Sequence, residues 1–145
     1  RSLAKNRSLR RTRSLRCFGV NIHKAADAAS HISTAAIRPP FPPFLHYVAA
    51  KTALEAYSQG LAAELAPAGV RVNTVSPGRT ATPGGLATRE QWASLSSGSL
   101  DLPGVPLGRD GDPDDIANAV LFLLSDQANW LTGSGLSVDG GEYPR

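Results

Sequence analysis

Tyr47 and Lys51 stand four residues apart in YVAAKTALEAYSQGLAAEL, an alanine-rich stretch without proline until Pro67. Side chains at i and i+4 share one face of an α-helix, so this spacing sets a phenol beside an ammonium group. A nearby cation favours phenolate over phenol, which predicts a Tyr47 pKa moved down from about 10 towards the range where general acid–base catalysis is effective. Taken alone, the pair also fits an exposed helical surface, so its meaning depends on the residues around it.

Those residues describe a unit. Pro67 and Gly69 stop the helix, and GVRVNTV then reads as a strand with Val70 and Val72 turned inward. Ser76-Pro77-Gly78 breaks the strand, so helix, short turn and buried strand make half of an α/β unit. Upstream, Ile32-Ser33-Thr34-Ala35-Ala36 places hydroxyls ahead of the tyrosine, with Thr34 thirteen positions before Tyr47. Downstream come Pro106-Leu107-Gly108-Arg109, then Asp112-Pro113-Asp114-Asp115-Ile116-Ala117, then LFLLSD, Thr132-Gly133 and Val138-Asp139-Gly140-Gly141.

In order and spacing, the segments from Ile32 to Gly141 resemble the C-terminal half of a short-chain dehydrogenase/reductase. The resemblance implies an NAD(P)-dependent oxidoreductase that interconverts a ketone and a secondary alcohol by hydride transfer. Tyr47 would be the proton donor and acceptor. Lys51 would lower the tyrosine pKa and bond the ribose beside the nicotinamide. Thr34 occupies the family's serine position, where a hydroxyl holds the substrate oxygen as charge develops, and Ser33 lies one residue out of register as the fallback. Pro77 and Gly78 correspond to the segment that meets the nicotinamide carboxamide, with the backbone of Thr80 and the hydroxyl of Thr82 as further contacts. The cofactor implied is NAD or NADP; the substrate is a small carbonyl or alcohol compound; the helix of Tyr47 packs across a subunit interface in the family, which implies a homo-oligomer.

The dinucleotide fingerprint of such a fold is not found in these residues. A Rossmann domain meets the pyrophosphate with a glycine-rich turn between its first strand and helix. Here Gly19 is the only glycine before Tyr47, no G-x-G-x-x-G occurs, and Gly84-Gly85 reads as part of a loop. The family's Asn-Asn-Ala-Gly segment is lacking too, and Asn21, thirteen residues before Thr34, stands too close to supply the relay asparagine of a preceding helix. The expected fold class is therefore α/β: the C-terminal half of a Rossmann-like, doubly wound parallel sheet, about three strands with two long helices, its N-terminal nucleotide-binding half missing. Residues 1–30 read as a basic, disordered or misread leader and residues 31–145 as the partial domain. Starting at Arg1 and lacking methionine, the chain reads as a fragment. A half sheet exposes an unpaired strand and apolar helix faces, which predicts solubility only as an oligomer or with a partner. A second reading follows from the same absence: a catalytically inactive remnant that only oligomerises or acts through its basic tail.

Charge is unevenly spread. Arg1 to Phe18 is three repeats, RSLAKN, RSLRRT and RSLRCF, with seven of the 15 basic residues and no acid, so the remainder, with all 12 acidic residues, carries a net charge of −4. The globular part is mildly acidic, as suits a small-molecule enzyme. A period of six scatters Leu3, Leu9 and Leu15 around a helix and argues against an amphipathic transit helix, although the Arg- and Ser-rich composition alone still allows a targeting peptide. Basic arms bind phosphates non-specifically, but no aromatic residue interrupts this one before Phe18, which argues against nucleic acid as a partner. One cysteine, Cys17, excludes an internal disulfide, and His23, His31 and His46 are too scattered for a zinc site, so no metal is expected. The longest apolar run, Ala119 through Leu124, is too short to cross a membrane, and the expected location is cytoplasmic. His46 beside Tyr47 lacks a Gly-x-Ser-x-Gly elbow and reads as a loop residue or a substrate contact.

The positioning elements follow. Lys24 to Ser30 is alanine-rich and reads as helical, and Pro39, Pro40, Pro42 and Pro43 enforce an extended loop. Leu54, Ser58, Leu61 and Leu65 form the inward stripe of the Tyr47 helix, while Ala49, Ala50 and Ala53 allow another helix to approach. Arg79 to Gly111, rich in glycine and proline with Trp92 its one aromatic residue, corresponds to the family's substrate lid. Asp112 caps a helix that opens on Pro113 and carries Ile116, Val120, Leu123 and Leu124 inward, and Gly135 to Val138 is the last strand.

Overall fold

The computed structural model describes residues 27–38, 44–95 and 104–143. Residues 1–26, Asn21 among them, and the proline run 39–43 lie outside the described residues, whereas Ala28 to Ser30, read as the end of the leader, belong to the first strand. Three parallel strands form one sheet in sequence order: β1 (Ala28–Ile32), β2 (Arg71–Pro77) and β3 (Gly135–Val138). Ala28 to Ile32 pair with Arg71 to Val75, and Thr74 to Pro77 pair with Gly135 to Val138. The helices are α1 (Leu45–Leu65), α2 (Pro83–Leu95) and α3 (Pro113–Leu124).

Packing explains the arrangement. β2 is central, and its five residues from Val72 to Ser76 are all buried, so the expected inward–outward alternation gives way to a strand covered on both faces. Val72 packs with Ala29 of β1 and Ala62 of α1, with Leu61 and Leu65 against them, and Ser76 donates to Glu55 of α1. On the opposite face, Arg71 donates to the carbonyls of Leu123 and Ser125 at the end of α3, and Asn73 donates to Leu131. Helices thus cover both sides of the half sheet. The core is built of small residues, with Val48, Ser58 and Ala62 the buried positions of α1 and Leu123 that of α3.

Local signals set the element ends. α1 stops where Gly69 takes φ +77, a left-handed value that glycine adopts without steric cost, and the Val70 N–H returns to the Leu65 carbonyl. α3 starts with a capping box: Asp112 accepts from Asp114, the Asp115 carboxylate accepts from the Asp112 N–H, and Pro113 occupies the first turn. The Arg109 guanidinium, with that N–H, holds the Asp115 carboxyl down at about 2.

Two expectations are corrected. The alanine-rich run read as helix is strand from Ala28 to Ile32, because Ala28, Ala29 and His31 are buried in the sheet and tertiary packing outweighs alanine's weak helical preference. The glycine- and proline-rich segment contains α2, a third helix, whose first turn holds Pro83, Gly84 and Gly85; proline is pre-organised there, and Thr82 accepts from the Gly85 N–H as its cap. Among the described residues no helix is long and apolar enough to cross a membrane, and no group of three or more His, Cys, Asp or Glu side chains is placed to hold a metal ion.

Candidate active site

The carboxyl ends of β1 and β2, the first turns of α1 and the start of α2 enclose a cavity of about 780 Å³, within the range of about 300–1,000 Å³ usual for small-molecule sites. Ser33, Thr34, Tyr47, Lys51, Pro77, Gly78, Thr80 and Thr82 all line it. Elements far apart in sequence therefore bring these eight residues to one concave surface. In open parallel sheets this end of the strands is where ligands bind.

The parallel ladder explains the posture of Lys51. Asp27 accepts from Arg71 and Ser33 donates to Val75, so odd-numbered residues of β1 bond to β2 and the Ile32 carbonyl points to the other edge. The Lys51 ammonium donates to that carbonyl at 2.8 Å. It lies over the Tyr47 ring, 5.6 Å from the ring centre. Partial burial pushes the Tyr47 phenol above its ordinary value of 10, and a hydrogen bond with Thr34 works in the opposite direction. The expected downward shift by Lys51 is thus reversed: desolvation opposes phenolate, and the cation is held on a backbone oxygen. Tyr47 is a neutral phenol at neutral pH, 42% exposed and able to donate a proton into the cavity.

The two hydroxyl residues separate. Thr34 bonds Tyr47, whereas Ser33 is buried, with a hydroxyl that has no hydrogen-bond partner among the described residues. On the other wall, Gly78 donates to Val138, and a Cβ there would stand 2.6 Å from the Asp139 Cβ and 2.8 Å from the Glu142 carboxylate. Only glycine lets the chain pass so close. Thr80 donates to the Gly78 carbonyl, and Thr82 is engaged as the cap of α2. His46 sits in the first turn of α1, not in a loop, and also lines the cavity.

Sequence reasoning missed Phe44, Arg79, Arg89, Glu142 and Tyr143, which line the same cavity. Glu142 follows Val138-Asp139-Gly140-Gly141 directly, a signal of place if not of role. Arg79 and Glu142 form an ion pair at 2.7 Å. Arg89 pairs with Asp110 at 2.8 Å. Burial raises the Tyr143 phenol, helped by the negative charge of Glu142.

The family model described as enoyl-(acyl carrier protein) reductase matches residues 20–142. An uncharacterized oxidoreductase of Methylorubrum extorquens is 48% identical over 99 residues, which take in 66% of this chain and 38% of that protein. The L-rhamnose 1-dehydrogenase (NAD(P)(+)) of Azotobacter vinelandii is 42% identical over 98 residues, 68% of this chain and 37% of that one. The chain thus spans well under half the length of these curated relatives. Among solved structures, the NADPH-bound short chain oxidoreductase of Pseudomonas aeruginosa PAO1, described as containing an atypical catalytic center, superposes with a TM-score of 0.70 at 31% identity, covering 83% of this chain and 48% of that chain. A family model that matches most of the sequence, and a sheet shared with solved members, establish that the chain belongs to the short-chain dehydrogenase/reductase family.

Proposed function

We propose that these residues form the substrate-binding and proton-transfer half of an NAD(P)-dependent oxidoreductase that interconverts a ketone and a secondary alcohol. One observation carries the reading: a neutral phenol, a hydroxyl bonded to it and an ammonium group one helical turn away line the same cavity. In the reducing direction Tyr47 gives its phenolic proton to the carbonyl oxygen. Thr34 holds that oxygen by a second hydrogen bond, and the positive charge of Lys51 offsets the phenolate left behind. In alcohol oxidation the same phenolate takes the proton back.

The residues fit the nicotinamide end of a dinucleotide. Pro77, Gly78, Ile32 and Ile116 give the cavity apolar walls, Ser33 offers a buried hydroxyl with no partner among the described residues, and Lys51 is an ammonium donor beside Tyr47. When bound, the cofactor supplies or accepts the hydride. Pro77, Gly78, Thr80 and Thr82 would bound its ring, and Lys51 would bond the ribose. These residues contain no G-x-G-x-x-G turn for the pyrophosphate, and the alternative reading is a remnant that binds no coenzyme.

A titration separates the two. Nicotinamide fluorescence is followed as the chain is added to NADH and, separately, to NADPH, at low and moderate salt, with Tyr47→Phe tested alongside. Saturable binding that survives salt, followed by carbonyl turnover lost in Tyr47→Phe, supports the oxidoreductase. An absence of binding at both salt concentrations sinks it for this chain and leaves the remnant reading.

A further inference from the structure

Glu142 lies outside every motif that pointed to the site, yet its carboxylate is among the most constrained groups on the cavity wall. Its side chain is 9% exposed. Oε1 lies 2.7 Å from the Arg79 Nε, and Oε2 accepts from the Arg79 main-chain N–H at 2.7 Å. One carboxylate therefore holds the backbone and the side chain of a single residue from a position 63 residues away. The segment that follows is pinned as well: Gly111 donates to the Arg79 carbonyl and accepts from Ala81, while Gly78, just before, donates to Val138.

A buried charge pair is seldom the most stabilising way to fill space, since well-packed apolar groups do as well. Its distinctive property is direction. A main-chain N–H bonded to one oxygen, and a cation set against the other, fix both where the chain runs and where the guanidinium lies. The loop so fixed carries Thr80 and Thr82 into the cavity opposite Tyr47.

We propose that Glu142 is a positioning residue which, through Arg79, sets the geometry of the Gly78–Thr82 wall of the cavity. The effect on the loop stands on geometry alone. Its consequence for coenzyme binding rests on the function proposed above. Charge and shape can be separated, because a glutamine at position 142 offers one acceptor where the carboxylate offers two. In Glu142→Gln the amide NH₂ must face either the Arg79 main-chain N–H, donor against donor, or the guanidinium, whose charge then has no counter-ion at that position. Adding Arg79→Met removes the guanidinium and leaves the main-chain N–H as one donor for one acceptor.

The experiment is amide hydrogen exchange, read by NMR on the full chain, for wild type, Glu142→Gln and the Glu142→Gln/Arg79→Met double variant, with NADPH titrations in parallel. In Glu142→Gln, exchange at Arg79 and Ala81 accelerates by about tenfold or more, while Asn73, Thr74 and Val75 in β2 change by less than about threefold. The double variant returns the loop to within about threefold of wild type. NADPH affinity falls about fivefold or more in the single variant and recovers in the double. Unchanged loop exchange in Glu142→Gln, equal acceleration of loop and β2, or no recovery in the double variant each overturns the proposal. If wild type binds no NADPH, the oxidoreductase reading fails for this chain and the exchange rates alone decide the positioning role.

Discussion

Ser58 and His31 offer a test of how α1 is fixed to the sheet that carries the site. Ser58 is 2% exposed, and its hydroxyl donates to the Leu54 carbonyl at 2.7 Å. With its proton so used, its oxygen accepts from the His31 Nδ1–H, which places the lone pair of the imidazole on Nε2, buried and without a partner among the described residues. Ser58→Ala deprives the ring of its remaining partner. A buried donor left unpaired costs about 1–3 kcal/mol, while replacing serine by alanine in a helix returns about 0.5 kcal/mol. The Leu54 carbonyl loses only a second acceptor role, so the net loss should be about 1–2 kcal/mol. Urea unfolding followed by circular dichroism at about pH 7.5, where the imidazole is neutral, measures it. In a His31→Val background the same substitution should cost less than about 0.5 kcal/mol, since no donor is left to strand. Equal costs in the two backgrounds would refute the reasoning. The pH dependence has a definite sign. Burial lowers the His31 pKa from 6.5, so the unfolded chain takes up a proton first. The contribution is complete above 6.5 and is lost as pH falls through that value towards the lower folded one. His31→Val should flatten this acid limb.

Other consequences follow from the site and the surface. Because burial raises Tyr47 above 10, carbonyl reduction should be level through neutrality and alcohol oxidation should keep rising towards pH 10; an oxidation plateau below about pH 8 would show that Lys51 does depress the phenol. Tyr47→Phe should lower turnover about 10²–10⁴-fold with coenzyme affinity preserved, measured by steady-state kinetics and fluorescence titration. Gly78→Ala drives a methyl to 2.6 Å from the Asp139 Cβ and should destabilise by about 1–3 kcal/mol in urea unfolding; a neutral result would mean that the 139–142 segment yields freely. Trp130 is 96% exposed, with Leu121, Phe122, Leu131 and Leu136 also at the surface, so sedimentation velocity should find species larger than the monomer, and Trp130→Asp should shift them towards it. A wild-type monomer would remove the basis for a homo-oligomer.

What was legible in the sequence is what depends on near neighbours. The i, i+4 spacing of Tyr47 and Lys51 becomes one helix face because α-helical geometry leaves no choice once the helix forms. Asp112 and Pro113 start α3 by satisfying its first N–H groups, and Gly135 to Val138 is the third strand with the bounds expected of it. β1 was illegible for the opposite reason. AASHI has no strong local preference for strand, and only burial between β2 and the covering helices decides it. α2 hid because Pro83, Gly84 and Gly85 signal a break in a helix interior but are tolerated in a first turn.

The site divides along the same line, and the division bears on chemistry. Which residues meet in the cavity could be read from spacing and resemblance, since each lies at the end of an element that the pattern identifies. Their charge states could not. The ammonium of Lys51 was expected at the phenol, but its position is settled by a carbonyl 19 residues upstream that the strand pairing leaves pointing outward. The Glu142 carboxylate is held by the main-chain N–H and the charge of a residue 63 positions away, and no local rule joins them. The Ile32 carbonyl has a lone pair to spare, so only a group that takes the ammonium's own place at the outer edge of β1 would displace Lys51. A strand or ligand whose N–H took that place would release Lys51 towards the phenol and lower its pKa, and the pH profile of oxidation would move down with it.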